Sequence, residues 1–139
     1  MNREEFCKIL RVCRQQSGYK IKEMCFKLNT MPTDIYRLEG GTNNFLLNRI
    51  MDYLSTVGYV ICLQDVKSNK LMLVNYDMVV EWLIHARTGK YSQRALAEQI
   101  GRSYVTIANV ERNKTNMSID IFLKIVDVLG YTVTIEKKQ

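Results

Sequence analysis

Five side chains in the second half of the chain, Tyr104, Val105, Ala108, Asn109 and Arg112, are spaced i, i+1, i+4, i+5 and i+8. On a helix that spacing gathers them on one face, which has no apolar reason to be buried. Their types suit the recognition of bases. The amide of Asn109 can bond N6 and N7 of an adenine, Val105 can pack on a thymine methyl, and Tyr104 stands beside them as a third base-edge candidate. Around this face Gln93, Arg102, Ser103, Arg112 and Lys114 carry N–H, O–H and cationic groups suited to phosphate oxygens. This is binding chemistry.

Catalytic and metal chemistry find no comparable support. His85 is the only histidine, and it falls opposite Cys13 on an expected buried helix face, so it reads as a structural, partly buried side chain. The four cysteines, Cys7, Cys13, Cys25 and Cys62, show no C-x-x-C pairing and sit within apolar patterns, as reduced core thiols do. Gly40-Gly41 lacks the Lys-Ser/Thr of a phosphate loop and reads as a helix stop. Glu39 and Glu111 stand just before helix ends and read as structural. No enzyme, cofactor or metal is expected.

The elements that must hold the reading face are legible around it. Ser92 can N-cap a helix over 93–100, with Leu96 and Ile100 on its inner stripe. Gly101 ends that helix in the left-handed conformation, and Ser103 can N-cap the next, whose Ile107 and Val110 face inward. Ala97 lies where two helices must cross closely. A helix held by its back that presents its front is the geometry of helix-turn-helix recognition.

With those residues in view, the stretch 92–113, SQRALAEQIGRSYVTIANVERN, resembles the helix-turn-helix of lambda-repressor/Cro-type (XRE family) proteins. Gln93, Leu96, Ala97, Gly101, Ser103, Thr106, Ile107, Val110 and Glu111 stand where that family places the same or similar types. Residues 118–129 and Gly130 resemble its fourth helix and the end of that helix. The resemblance implies a lambda-repressor-like fold and adds Thr106 to the DNA-contact set.

Read in order, the first half shows the same sequence of signals. Asn2 and Glu5 have capping-box spacing, and Phe6, Leu10 and Cys13 share one helical face. A second helix is expected over 21–28, with Asn29 left-handed after it. Pro32 opens a third at N1, and a fourth runs over 44–56 to a break at Gly58. Residues 59–64 (YVICLQ) and 131–136 (YTVTIE) read as strands. A shift of 72 lays residues 2–66 over 74–138 without a gap. It matches Tyr19 to Tyr91, Ile35 to Ile107, Glu39 to Glu111, Asn44 to Asn116 and Gly58-Tyr59 to Gly130-Tyr131. Apolar classes agree as well, as in Leu10/Trp82, Met24/Leu96, Leu28/Ile100 and Leu54/Val126. Two tandem helix-turn-helix domains, 1–66 and 67–139, are therefore expected in a mainly α fold. The first departs further from the family pattern, with Ile21, Asn29 and Met31 replacing Gln, Gly and Ser.

Residues 66–75 are too apolar for a loose linker, and Lys67-Ser68-Asn69-Lys70 reads as the turn of a β-hairpin joining 59–66 to 71–74. The strands 59–64 and 131–136 are expected to pair, tying the domains together from outside their four-helix cores. This arrangement is similar to the C-terminal strand of HipB-type antitoxins, which joins two protomers. Here one chain would supply both. In the first domain the equivalent DNA face is Pro32, Thr33, Tyr36 and Arg37, with Lys20 and Lys22 as phosphate candidates and Asp34 opposing a phosphate.

Twenty Lys plus Arg against fourteen Asp plus Glu give a net charge of +6, which favours an anionic partner. Two acids precede any apolar run, unlike a signal peptide, and no run approaches a membrane span, so a cytoplasmic protein is expected. Two classes of function stay open. One is a sequence-specific regulator of double-stranded DNA, a repressor acting as a pseudo-dimer or homodimer. The other is a protein-interaction module, an antitoxin or anti-repressor, with a protein partner on domain 1–66.

Overall fold

The computed structural model describes residues 1–67 and 69–139, and Ser68, expected in the hairpin turn, lies outside the described residues. The fold is mainly helical with one small antiparallel sheet. Helices α1 (Arg3–Gln16), α2 (Ile21–Leu28), α3 (Pro32–Gly40) and α4 (Leu47–Val57) lead into strands β1 (Tyr59–Gln64) and β2 (Lys70–Leu73). Helices α5 (Tyr76–Arg87), α6 (Gln93–Gln99), α7 (Tyr104–Glu111) and α8 (Ile119–Val128) then lead into β3 (Thr132–Lys137). The strands lie in the order β2-β1-β3.

Local chemistry sets the boundaries. The Asn2 and Glu5 capping box starts α1, with Asn2 Oδ1 accepting the Glu5 N–H at 2.9 Å. Asn29 is left-handed after α2, and Pro32 stands at N1 of α3. Gly41 ends α3 at φ +64°, and a Cβ there would lie 3.2 Å from the Glu4 Cα and 3.3 Å from the Arg3 carbonyl oxygen. Conformation and contact both require glycine at that position. Helix α4 begins three residues later than its pattern predicts, because residues just before it are spent on contacts with the other half of the chain. Leu46 bridges Ser118, and the Leu47 N–H bonds the Met117 carbonyl at 2.8 Å. The hairpin loop is organised by Asp65, whose Oδ1 accepts the N–H groups of Lys67 and Asn69.

The shift of 72 holds from Tyr19 onward but not across the first helices. Asn75 caps α5 as Asn2 caps α1, 73 residues apart. Arg87 bonds Glu111 and the Tyr91 carbonyl as Arg14 bonds Glu39 and the Tyr19 carbonyl, and these arginines are also 73 apart. One residue more separates Arg14 from Tyr19 than Arg87 from Tyr91. Leu10 therefore corresponds to Leu83, not Trp82, and Cys13 corresponds to Ala86, not His85. His85 is exposed, contrary to the expected buried position. The gapless overlay hid this because α1 and α5 both tolerate a one-residue slip in their apolar classes.

The two halves share one core. Phe6, Leu10, Met24, Ile50 and Leu54 belong to the same buried cluster as Leu83, Leu96, Ile107, Phe122 and Ile125. Ile61, Leu63, Leu73 and Val133 from the sheet join it too, so the strands do not lie outside the helical core as expected. Trp82 stands edge-on to Phe122 and Tyr131, at centroid distances of 6.1 and 5.4 Å. A shared core relieves the marginality of two small separate ones.

Strand pairing follows the expected partners with a particular register. Cys62 stands opposite Thr134, with Ile61 opposite Ile135 and Leu63 opposite Val133. Cys62 and Thr134 are themselves 72 residues apart, so the β1–β3 pair is centred on equivalent positions. The Leu46–Ser118 bridge is also a 72-residue pair. Around it the Ile119 N–H bonds the Phe45 carbonyl at 2.8 Å, the reciprocal of Leu47 to Met117. Reciprocal contacts of this kind are what a two-fold relation between halves produces.

Candidate nucleic-acid interface

Helices α6 and α7 fold as their signals direct. Ser92 Oγ accepts the Ala95 N–H at 3.0 Å, Leu96 and Ala97 are buried, and Gly101 is left-handed at φ +71°. Ser103 is the N-cap residue of α7, but its hydroxyl makes no capping bond. That hydroxyl therefore stands exposed at the helix N-terminus, beside unpaired backbone N–H groups that favour an anion.

The back of α7 is clamped. Arg87 Nη2 donates to Glu111 Oε1 at 2.8 Å, and Gln93 Nε2 donates to the same oxygen at 3.0 Å. Glu111 thus joins α5, α6 and α7 in one partly buried polar knot. In the first half Arg14 Nε donates to Glu39 Oε2 at 2.7 Å, and the third partner is Tyr53, whose hydroxyl donates at 2.6 Å. Burial, and then the Glu39 carboxylate, hold the Tyr53 phenol well above its ordinary range. The Glu39 bonds raise the Arg14 guanidinium further. The two glutamates are structural, as expected. Their third ligand differs because Ile21 occupies the place of Gln93.

The front of α7 is free. Tyr104 and Val105 are 40% and 47% exposed, Thr106 and Asn109 are partly exposed, and Arg102, Arg112 and Lys114 are exposed. The Asn109 side chain has no hydrogen-bond partner among the described residues, which leaves its amide able to bond a ligand. Ala108 does not belong to this face: it is buried at 6%. Gln93 is a brace first, with one N–H committed to Glu111 and the other making no hydrogen bond among the described residues.

Sequence reasoning missed Arg94. Its guanidinium lies 3.9 Å from the centroid of the Tyr104 ring, stacked across the turn between the two helices. It fixes the ring and adds positive charge to the face. No periodicity links two residues ten apart on different helices, so nothing in the pattern pointed to the pair.

In the first half Thr33 and Arg37 are exposed on α3, and Lys20 and Lys22 are exposed at the start of α2. Asp34 is tied by the Thr30 hydroxyl at 2.6 Å, and that bond holds its carboxyl below the usual range. It stays ionised on the expected contact face. The apolar content differs too. Phe26, Met31 and Tyr36 are 89%, 67% and 60% exposed, where the second half has Glu98, Ser103 and Ala108.

Residues 86–135 match a helix-turn-helix family model. The matched segment takes in α6 to α8 and most of β3, so the resemblance to XRE-type proteins is supported for this half of the chain, and with it a DNA-binding regulatory domain. No curated protein and no solved structure matches the chain. Among the described residues no helix is long and apolar enough to cross a membrane.

Proposed function

We propose that the chain is a sequence-specific double-stranded DNA-binding transcriptional regulator, a repressor acting by occlusion, built from tandem helix-turn-helix domains 1–66 and 67–139 that work as a pseudo-dimer. The observation that carries this reading is the set of reciprocal contacts at a spacing of 72, from Leu47–Met117 and Ile119–Phe45 to Cys62 opposite Thr134. A two-fold rotation leaves related parts at the same height along its axis. It would therefore present α3 and α7 to the same side, as symmetric dimers present two recognition helices to half-sites about one helical turn apart. Asn109, Val105 and Tyr104 read base edges. Arg102, Ser103, Thr106, Arg112, Lys114 and the free N–H of Gln93 hold phosphates, and Arg94 stabilises Tyr104. On the first domain Arg37 reads a guanine beside Thr33, with Lys20 and Lys22 on the backbone.

Titration of a random duplex at several salt concentrations tests the DNA class itself. Binding should weaken steeply, with log K falling by about 0.9 per phosphate neutralised for each unit of log salt. Absence of binding at low salt would reject it.

One observation favours a second reading. The exposed Phe26 and Met31 offer no hydrogen-bond donor and the exposed Tyr36 ring extends their apolar surface, which supports a protein partner on domain 1–66, as in an antitoxin or anti-repressor. Substituting these three residues should leave duplex binding intact under that reading and weaken it under the first.

A further inference from the structure

The sheet breaks the two-fold relation at one place. On its outer side β1 is covered by β2, which runs antiparallel with Ile61 opposite Leu73 and Gln64 opposite Lys70. The equivalent side of β3, from Val133 to Glu136, pairs with no other strand among the described residues. A six-residue edge is left with free backbone N–H and C=O groups, a template for strand addition. Proline and bulges, which usually blunt such edges, are absent from it, and its one lysine stands at the end, Lys137.

From this geometry we infer that two copies of the chain associate through their β3 edges, antiparallel and centred on Thr134. The occupant is a second copy because β3 is complementary to itself in that register. Val133 meets Ile135 on the inner face, continuing the apolar layer that Ile61, Leu63 and Leu73 form beneath the sheet. On the outer face Thr134 meets Thr134 and Thr132 meets Glu136, pairs that suit adjacent strands. Centring on Ile135 instead would set Lys137 against the buried Val133. The product is a continuous sheet in the order β2-β1-β3-β3-β1-β2, a closed isologous dimer with four helix-turn-helix units. Neither copy has to change its own β1–β3 pairing.

Thr134 is exposed, and its hydroxyl donates to Glu136 at 2.8 Å, so charge can be placed there without disturbing the core. Sedimentation velocity without DNA, over a range of micromolar concentrations, is the test. The natural chain should sediment as two copies. Thr134→Lys and Thr134→Glu, each of which sets like charges opposite one another, should each sediment as one copy with an unchanged circular dichroism spectrum. Mixing the two variants should restore the two-copy species. A natural chain that stays single at every concentration overturns the inference, as does a dimer that both substitutions leave intact. Because no DNA is present, failure here is separate from failure of the DNA-binding reading.

Discussion

Asn44 and Asn116 each cap the other half's fourth helix. Asn44 Oδ1 accepts the Asp120 N–H at 3.0 Å, in the first turn of α8, and Asn116 Oδ1 accepts the Asn48 N–H at 3.1 Å, in the first turn of α4. Their identity at a spacing of 72 thus has a physical cause, since each satisfies a helix donor that its own half leaves open. Removing either should destabilise by about 0.5–2 kcal/mol. The Asn116→Ala effect should be the larger, because α8 keeps its own cap from Ser118 while the Leu46 side chain offers α4 none. Denaturant unfolding of both variants measures the order.

The arginine–glutamate knots set the pose of α3 and α7. Glu111→Ala would leave the partly buried Arg87 without its carboxylate partner, and a loss of about 3 kcal/mol in unfolding free energy, the low end for a buried pair, is expected. Glu39→Ala should cost as much or more, since Arg14 and Glu39 are both buried, while the Tyr53 hydroxyl keeps the Leu10 carbonyl as an acceptor at 3.1 Å.

Base reading and backbone holding should separate on the reading face. Asn109→Ala should cost about 1–3 kcal/mol on the preferred site and relax preference at one base pair. Arg112→Ala should weaken all sequences alike and lower the salt slope by about one unit. Fluorescence titrations on matched and mismatched duplexes distinguish the two.

Arg94 and Tyr104 should act as a unit. Arg94→Ala and Tyr104→Ala should each weaken DNA binding, and the double variant should lose less than the sum of the two. Additive losses would mean that the stacked geometry has no part in binding.

Stability should fall at alkaline pH. Burial pushes the thiols of Cys7 and Cys13 from 9.0 up to about 11, so between those values the unfolded chain loses protons that the folded chain retains. Stability from this source is present below pH 9.0 and is lost as pH rises toward about 11. A Cys7→Ala, Cys13→Ala double variant should show a flatter profile over that window in thermal melts.

Much of this architecture was legible because its signals are local. Pro32, Asn29, Ser92 and Gly101 act within a turn of where they stand, and each lies where its backbone preference places it. The paired strands were legible because equivalent runs need equivalent partners. The slip between Arg14 and Tyr19 was not, because Leu10 sits as well against Trp82 as against Leu83 in any apolar alphabet. Only a specific bond, from Arg14 to the Tyr19 carbonyl, fixes the register. Contacts across the halves were hidden for the same reason: Asn44 and Asp120 are 76 residues apart, and nothing periodic joins them. On the front of α7, helical spacing found the exposed Tyr104 and Val105 and the partly exposed Asn109. It assigned Ala108 to the front because a small apolar residue carries little preference for either side.

Selection of bound sequences from a random duplex pool tests the central proposal most directly. The expected result is a site of two unlike half-sites, centred about one helical turn apart. One would be read by Val105 and Asn109 with an adenine at its core, and the other by Thr33 and Arg37 with a guanine. Enrichment of a single half-site would contradict the pseudo-dimer, and a pool that emerges as random as it began would contradict sequence-specific DNA binding altogether.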